Sequence, residues 1–305
     1  MSTAWLFPGQ GTQTVGMGKT LCEASAAARG YFERADRALG FTLGRLCFEG
    51  PLEELTLTKN AQPAILTASI AALAALREAR PALESPAFAA GHSLGEYSAL
   101  VAAGALVFED AVRIVHLRGK AMQEAVPEGQ GAMAAIMGGD DATVTTLCAD
   151  AAQGDVLAPA NFNSPGQIVI SGTAAAVARA VELAPARKLK GIPLKVSAPF
   201  HSALMAPAAR AVDAALATIS IGRLAFPVVA NVDGKPNQDS ERVRELLVRQ
   251  VDGAVRWQES IAFMAEAGVT EALEIGPGKV LAGLVKRIDK RINVLGRFEP
   301  DSLAG

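Results

Sequence analysis

Gly91-His92-Ser93-Leu94-Gly95 stands between the small, apolar run Ala87-Phe88-Ala89-Ala90 and the helix-like run Glu96-Tyr97-Ser98-Ala99-Leu100-Val101. Strand, sharp turn and helix is the setting in which a G-x-S-x-G serine is presented as a nucleophile. The flanking glycines suit a turn in which Cβ atoms would collide. A helix that starts just past Ser93 aims free N–H groups and the positive end of its dipole at a spot where an oxyanion can form. G-x-S-x-G alone also marks ordinary turns; this setting makes Ser93 the candidate nucleophile.

Outward from this turn, strand-like and helix-like stretches alternate. Ala4-Trp5-Leu6-Phe7 reads as a buried strand broken by Pro8-Gly9-Gln10-Gly11, and helical patterns follow over about 16–46 and 60–78. Further helices are expected over 109–124, 206–219, 240–251, 260–267 and 279–287, with strands at 226–230 and 272–275. Such alternation predicts an α/β fold with a largely parallel sheet. Between about 130 and 196 the rhythm changes. Strand-like 132–137, 156–160, 167–170 and 192–196 are interleaved with helix-like 140–152 and 173–183, Asp140 being an N-cap and Asn163-Ser164-Pro165-Gly166 a turn. That β-α-β-β-α-β order is the ferredoxin-like split pattern and predicts a small subdomain, residues 129–197, inserted into the larger unit.

Composition narrows the function classes. With 305 residues, half of them hydrophobic, the chain can bury a full core. A net charge of −2 leaves no basic stripe for nucleic acid. Cys22, Cys47 and Cys148 form no C-x-x-C pair, so buried thiols are expected, not a disulfide frame or a metal site. The first residues lack the basic n-region of a secretory signal, and the apolar stretch 64–76 is too short to span a bilayer. A soluble, cytoplasmic protein is expected.

A serine nucleophile needs a general base, normally histidine, and there are three. His92 lies in the turn itself, its side chain expected to point away from Ser93 as a turn-shaping or hydrogen-bonded core group. On a helical wheel, His116 falls with Arg113, Lys120, Gln123 and Glu124 on the polar face of helix 109–124 and should be solvated. His201 remains, in a loop returning from the insertion, and junctions between domains are where clefts form. The same wheel places Arg118 in the middle of the apolar face of Ala111, Ile114, Val115, Ala121 and Met122. A guanidinium buried there unpaired would cost several kcal/mol. It either meets a core carboxylate or clamps the carboxylate of a substrate. The backbone N–H groups of Leu94 and of Gln10, in the glycine-flanked loop after the first strand, are the natural oxyanion donors. Neither G-x-G-x-x-G nor G-x-x-x-x-G-K-[ST] occurs, which argues against a nucleotide loop.

Together these stretches resemble the malonyl-CoA:acyl carrier protein transacylases, the acyltransferase family of fatty-acid and polyketide synthesis. The resemblance is carried by Phe7-Pro8-Gly9-Gln10-Gly11, 91–98, Arg118-Gly119, Gly131 to Ala135, Asn161 to Gln167, Phe200-His201-Ser202 and Glu274-Ile275-Gly276-Pro277-Gly278. It covers essentially the whole chain. It implies a hydrolase-like α/β core, residues 1–128 and 198–305, around the inserted subdomain. It also implies Ser93 as nucleophile, His201 as base, Arg118 as binder of the malonyl carboxylate, and Gln10 and Leu94 as oxyanion contacts. The histidine would be oriented by a backbone carbonyl, not an aspartate, the matching glutamine being Gln250. Leu94 and Phe200 look like the malonyl-selecting forms of their motifs.

The resemblance further implies ping-pong transfer from malonyl-CoA to an acyl carrier protein by a monomer, with no cofactor or metal. Lys286-Arg287, Arg187-Lys188 and Lys190 are candidates for a basic rim that meets the acidic carrier. A serine esterase or thioesterase shares the nucleophile and base, and a non-catalytic carrier-binding module shares the fold. A stand-alone polyketide acyltransferase or a malonate decarboxylase transacylase subunit would use the same residues.

Overall fold

A computed structural model describes residues 2–196 and 198–303. Its strands in chain order are β1 (Ser2–Phe7), β2 (Phe88–Gly91), β3 (Gly131–Met137), β4 (Leu157–Ser164), β5 (Gln167–Thr173), β6 (Lys190–Pro193), β7 (Val228–Val229), β8 (Pro236–Asn237), β9 (Val269–Ile275) and β10 (Asn293–Arg297). They form a six-stranded sheet, β10-β9-β1-β2-β7-β8, parallel except for the β7–β8 edge, and a four-stranded antiparallel sheet, β4-β5-β3-β6. The architecture is thus mixed α/β with a mainly parallel sheet and a second, antiparallel one.

The parallel sheet follows from strands apolar on both faces. Ala4, Trp5, Leu6 and Phe7 are all buried, and Trp5 and Leu6 belong to different cores, one on each side of the sheet. The register pairs Leu6 with Ala90 and Phe7 with Gly91. The chain therefore leaves β1 and β2 at the same sheet edge, so the 8–11 loop and the 92–94 turn emerge side by side. Carboxyl ends of parallel strands are where open α/β sheets bind ligands.

Helix Thr58–Ala79 is buried along most of its length, and helix Phe108–Glu124 packs across it. Gly119 permits that approach, because a Cβ there would stand 2.5 Å from the Thr58 carbonyl oxygen. The antiparallel sheet carries helices Asp141–Ala152 and Ala174–Leu183 around its own core, including Ile136, Leu147, Ile168 and Val177. Asp140 and Thr173 cap these helices, accepting from Thr143 N and Ala176 N. Phe162 N donates to Val255 O and Val255 N to Ala160 O, tying β4 to the segment beside the first sheet.

Several local expectations need correction. The helix expected over 16–46 is three helices, Lys19–Ala24, Ala26–Leu39 and Leu43–Glu49. Ser25 caps the second of them with its side chain, and Gly40 ends it in the left-handed region at φ 74°. β4 runs on to Ser164, so the turn is confined to Pro165-Gly166. The strand expected at 192–196 is instead β6, ending at Pro193, and the one at 226–230 shrinks to β7. β8, β10 and helix Pro300–Leu303 have no counterpart in the sequence reading. The expected end of the insertion falls on Ser197, outside the described residues. Among the described residues, no helix is long and apolar enough to cross a membrane, and no cluster of His, Cys, Asp or Glu is placed to hold a metal ion.

Gly119→Ala forces a methyl group against backbone that cannot step aside. We expect a loss of about 2–4 kcal/mol, read as a lower urea midpoint at unchanged slope; an unchanged midpoint would show that the helices separate freely.

Candidate active site

At the carboxyl edge of the parallel sheet, Ser93 holds a left-handed backbone, φ 50°, which is uncommon for a residue with a side chain. Helix Gly95–Ala102 starts two residues later, and Glu96 N donates to Ser93 O at 3.1 Å. Gly95 is obligatory, since a Cβ there would lie 2.1 Å from the Phe7 carbonyl oxygen. Asn231 grips the turn from both sides. Its Oδ1 accepts from Ser93 N at 2.7 Å, and its Nδ2 donates to Gly91 O at 2.8 Å. Among the described residues, neither Leu94 N–H nor Gln10 N–H donates to a protein group. Gln10 lies exposed on the 8–11 loop at the cleft wall, its side chain donating to Thr58 Oγ1 at 3.2 Å.

His201 Nε2 lies 2.8 Å from Ser93 Oγ. Its Nδ1 faces two carbonyl oxygens, Gln250 O at 2.9 Å and Gly253 O at 3.1 Å. Carbonyls only accept, so Nδ1 carries the proton and Nε2 offers its lone pair to the serine hydroxyl. His201 is itself left-handed, φ 57°, and buried. Burial first, then the Arg118 charge, press its imidazole down from 6.5 to about 3, partly opposed by the Gln250 carbonyl. The ring is neutral at physiological pH, as a general base must be.

Arg118 is 1% exposed, and among the described residues no carboxylate lies within ion-pair distance of it. Nη1 donates to Gln62 Oε1 at 2.8 Å; Nη2 donates to Gln250 Oε1 at 2.8 Å and to Ser93 Oγ at 3.1 Å. The guanidinium carbon sits 5.5 Å from the Tyr97 ring centre. Two neutral amides thus hold a buried cation without cancelling its charge, and the open side faces the serine. The cleft in front of it, about 370 Å3, has apolar walls from Met122, Met133, Val169, Leu194, Val196 and Phe200. Larger concavities of about 540, 700 and 750 Å3 contain neither Ser93 nor Arg118.

The structure therefore brings Ser93, His201, Arg118 and Gln250 into one hydrogen-bonded group, with Leu94, Gln10 and Phe200 around it. His92 is not part of that group; its Nε2 meets Asn163 Oδ1 at 2.8 Å beside Trp257. His116 is not free in solvent as the wheel suggested. It is half-buried, Nδ1 2.7 Å from Lys59 O and its ring against Phe41, because the neighbouring helix covers that flank. Of the basic candidates, Arg187 pairs with Asp150 and Arg287 donates to Gln167, while Lys188, Lys190 and Lys286 are exposed.

Sequence reasoning missed Gln62, Glu96, Asn231 and Gly253. Glu96 was within reach of the wheel argument, as a carboxylate in the first turn of an otherwise apolar, buried helix. It is buried, accepts from Gln250 Nε2 at 2.9 Å and from Asn231 N at 3.1 Å, and burial pushes its carboxyl up to about 7. Glu274, in a motif read from sequence, accepts from Leu281 N and Ala282 N and so caps helix Val280–Ile288.

A family model described as an acyl transferase domain matches residues 4–304. Malonyl CoA-acyl carrier protein transacylases of Escherichia coli (strain K12) and Bacillus subtilis (strain 168) are 48% and 49% identical to this chain over 302 residues. The alignments cover 99% and 98% of it, and 97% and 94% of those proteins. Among solved structures, the transacylase from Coxiella burnetii superposes with a TM-score of 0.97 at 42% identity, covering 99% of this chain and 96% of the other. A malonyl-transacylase in complex with a type II PKS acyl-carrier protein gives 0.96 at 46% identity, covering 99% and 98%.

A fluorophosphonate probe tests nucleophile and base without a substrate. Only the neutral imidazole can accept the Ser93 proton, so labelling slows where His201 becomes charged. We expect a flat rate from about pH 8 down to about pH 5, with His201→Ala slower by about 10²–10⁴-fold; an acid limb centred at the ordinary 6.5 would contradict the depressed base.

Proposed function

This chain belongs to the acyl transferase domain family, and from that premise we infer that it moves the malonyl group of malonyl-CoA onto the phosphopantetheine thiol of acyl carrier protein, for fatty-acid biosynthesis. It is an acyl-carrier-protein S-malonyltransferase. The observation that carries the substrate class is Arg118, a buried cation beside the candidate nucleophile that, among the described residues, has no carboxylate in direct contact with it.

Catalysis runs in two half-reactions. Ser93 Oγ gives its proton to His201 Nε2 and attacks the thioester carbonyl. Leu94 N–H and Gln10 N–H hold the oxyanion, donors of a kind worth about 10²–10³ in rate. The coenzyme A thiolate leaves with the proton from His201, and malonyl-Ser93 remains. The carrier's thiol then gives its proton to His201, attacks the ester and takes the malonyl group, and His201 Nε2 returns the proton to the departing Ser93 Oγ. The acyl carboxylate lies against Arg118 in both halves, and Phe200 closes the apolar wall beside it. An acyl group without a carboxylate leaves the guanidinium desolvated and unpaired, which is the basis of discrimination. Gln250 O keeps the imidazole in its reactive tautomer, the role an aspartate takes in a serine triad.

Residues 1–128 and 198–305 are read as a hydrolase-like core and 129–197 as an inserted ferredoxin-like subdomain. The β-α-β-β-α-β order and the strand order β4-β5-β3-β6 support the latter. The reading includes a monomer in the cytoplasm, no cofactor, and a carrier that docks on exposed lysines such as Lys188, Lys190 and Lys286. Supply of malonyl groups to a polyketide carrier is a second reading, favoured by the solved neighbour bound to such a carrier.

An acyl-CoA panel on wild type and Arg118→Ala tests the assignment. Wild type should form malonyl-Ser93, seen as a mass shift lost in Ser93→Ala, and should pass the group to holo carrier protein faster than to water. Arg118→Ala is expected to lose malonyl transfer by roughly 10²–10³-fold and to accept acetyl-CoA better. Equal release of free malonate with and without carrier would point to a hydrolase, and an unchanged malonyl preference would refute the clamp.

A further inference from the structure

Glu96 sits directly behind the elbow, buried, and the mechanism above makes no use of it. Its Oε2 accepts from Gln250 Nε2, and the other end of the same amide, Oε1, accepts from Arg118 Nη2. One neutral side chain therefore stands between a buried carboxyl and a buried guanidinium, each hydrogen-bonded to it. We infer that Glu96 is the internal counter-charge of Arg118, coupled to it through the Gln250 amide, and is a positioning residue that sets how strongly the pocket prefers an acyl group bearing a free carboxylate. The inference rests on Arg118 as the carboxylate binder.

The geometry separates holding from neutralising. A carboxylate in direct contact with Arg118 would fill the place the substrate must take. A carboxyl one amide further away lowers the cost of burying the cation and leaves its open side free. The charge it contributes depends on its protonation. Burial raises the Glu96 carboxyl to about 7, against the opposing pull of its Gln250 and Asn231 hydrogen bonds and of Arg118, while Asp233 raises it further. Tyr97, on the same helix, is pushed up to about 12 and stays neutral; His201, beyond Ser93, is held neutral as well.

The sign follows. Below pH 7 Glu96 is protonated, Arg118 is uncompensated, and a malonyl carboxylate binds at its strongest. Above pH 7 the ionised Glu96 competes for the same positive charge, and the advantage of malonyl over acetyl falls. Conversely, a bound malonyl group neutralises Arg118 and draws a proton onto Glu96.

The test is the ratio of kcat/KM for malonyl-CoA to that for acetyl-CoA, in wild type and Glu96→Gln, from about pH 5.5 to about pH 8.5. Both acyl groups use the same Ser93 and His201, so the ratio isolates the carboxylate pocket. Glu53 and Lys195 at the cleft mouth are common to both proteins. The wild-type ratio is expected to fall roughly three- to tenfold across this range, centred near 7 and carried by KM. That of Glu96→Gln should stay flat at the wild-type acid value. A flat wild-type ratio, or a variant that follows the wild-type curve, overturns the inference. If Glu96→Gln does not fold, the wild-type curve alone decides. Arg118→Ala, run beside them, separates the two levels. If it keeps the malonyl preference, the clamp itself is wrong; if it loses the preference while wild type is flat, only the role of Glu96 fails.

Discussion

Gln250 is the joint on which the cleft is assembled. Its backbone carbonyl accepts a hydrogen bond from His201 Nδ1, its Oε1 accepts from Arg118, and its Nε2 donates to Ser93 O and to Glu96. Base, cation and elbow are thus fixed relative to one another by a single buried residue on helix Ser240–Asp252. An amide suits this position because it donates and accepts at once and carries no charge. A carboxylate there would pair with Arg118 and quench it, and an apolar side chain would take one hydrogen bond from each of three buried groups, Arg118, Ser93 O and Glu96.

The two residues that exchange a proton both have left-handed backbones, at φ 50° for Ser93 and φ 57° for His201. Such conformations cost about 1–3 kcal/mol each and persist only where the surroundings over-determine them. For Ser93 the restraint is visible atom by atom. Asn231 bonds the chain on both sides of His92, and Gly95 is pressed against Phe7 O. In this conformation the Ser93 hydroxyl lies 2.8 Å from the imidazole.

Charge is arranged by separation. Arg118 touches amides, a hydroxyl and an aromatic face; the carboxyl nearest to it by hydrogen bonding lies beyond Gln250. This explains how a guanidinium survives in the apolar stripe of helix Phe108–Glu124, where Val115 and Met122 are also buried. Burial, and after it the same charge, keep His201 neutral, so the cation beside the serine also helps to keep the histidine deprotonated.

Much of this was legible along the chain. The strand-turn-helix around Ser93, the misplaced Arg118 on a helical wheel and the elimination of two histidines each rest on local spacing, which reports local burial. The change of rhythm near residue 130 likewise showed the second sheet, because an alternating pattern of strands and helices needs only neighbours in sequence. The partners that make these residues a site were not legible. Gln62 and Asn231 are ordinary polar residues on different segments whose value comes from contacts 56 to 140 residues apart in sequence, and Gln250 was reached only through the family resemblance. Periodicity tells which face of a helix is buried, but not which amide will stand between a buried cation and a buried acid. That was decided by the packing of helices on the carboxyl edge of the sheet, where desolvation makes an unpaired polar group costly.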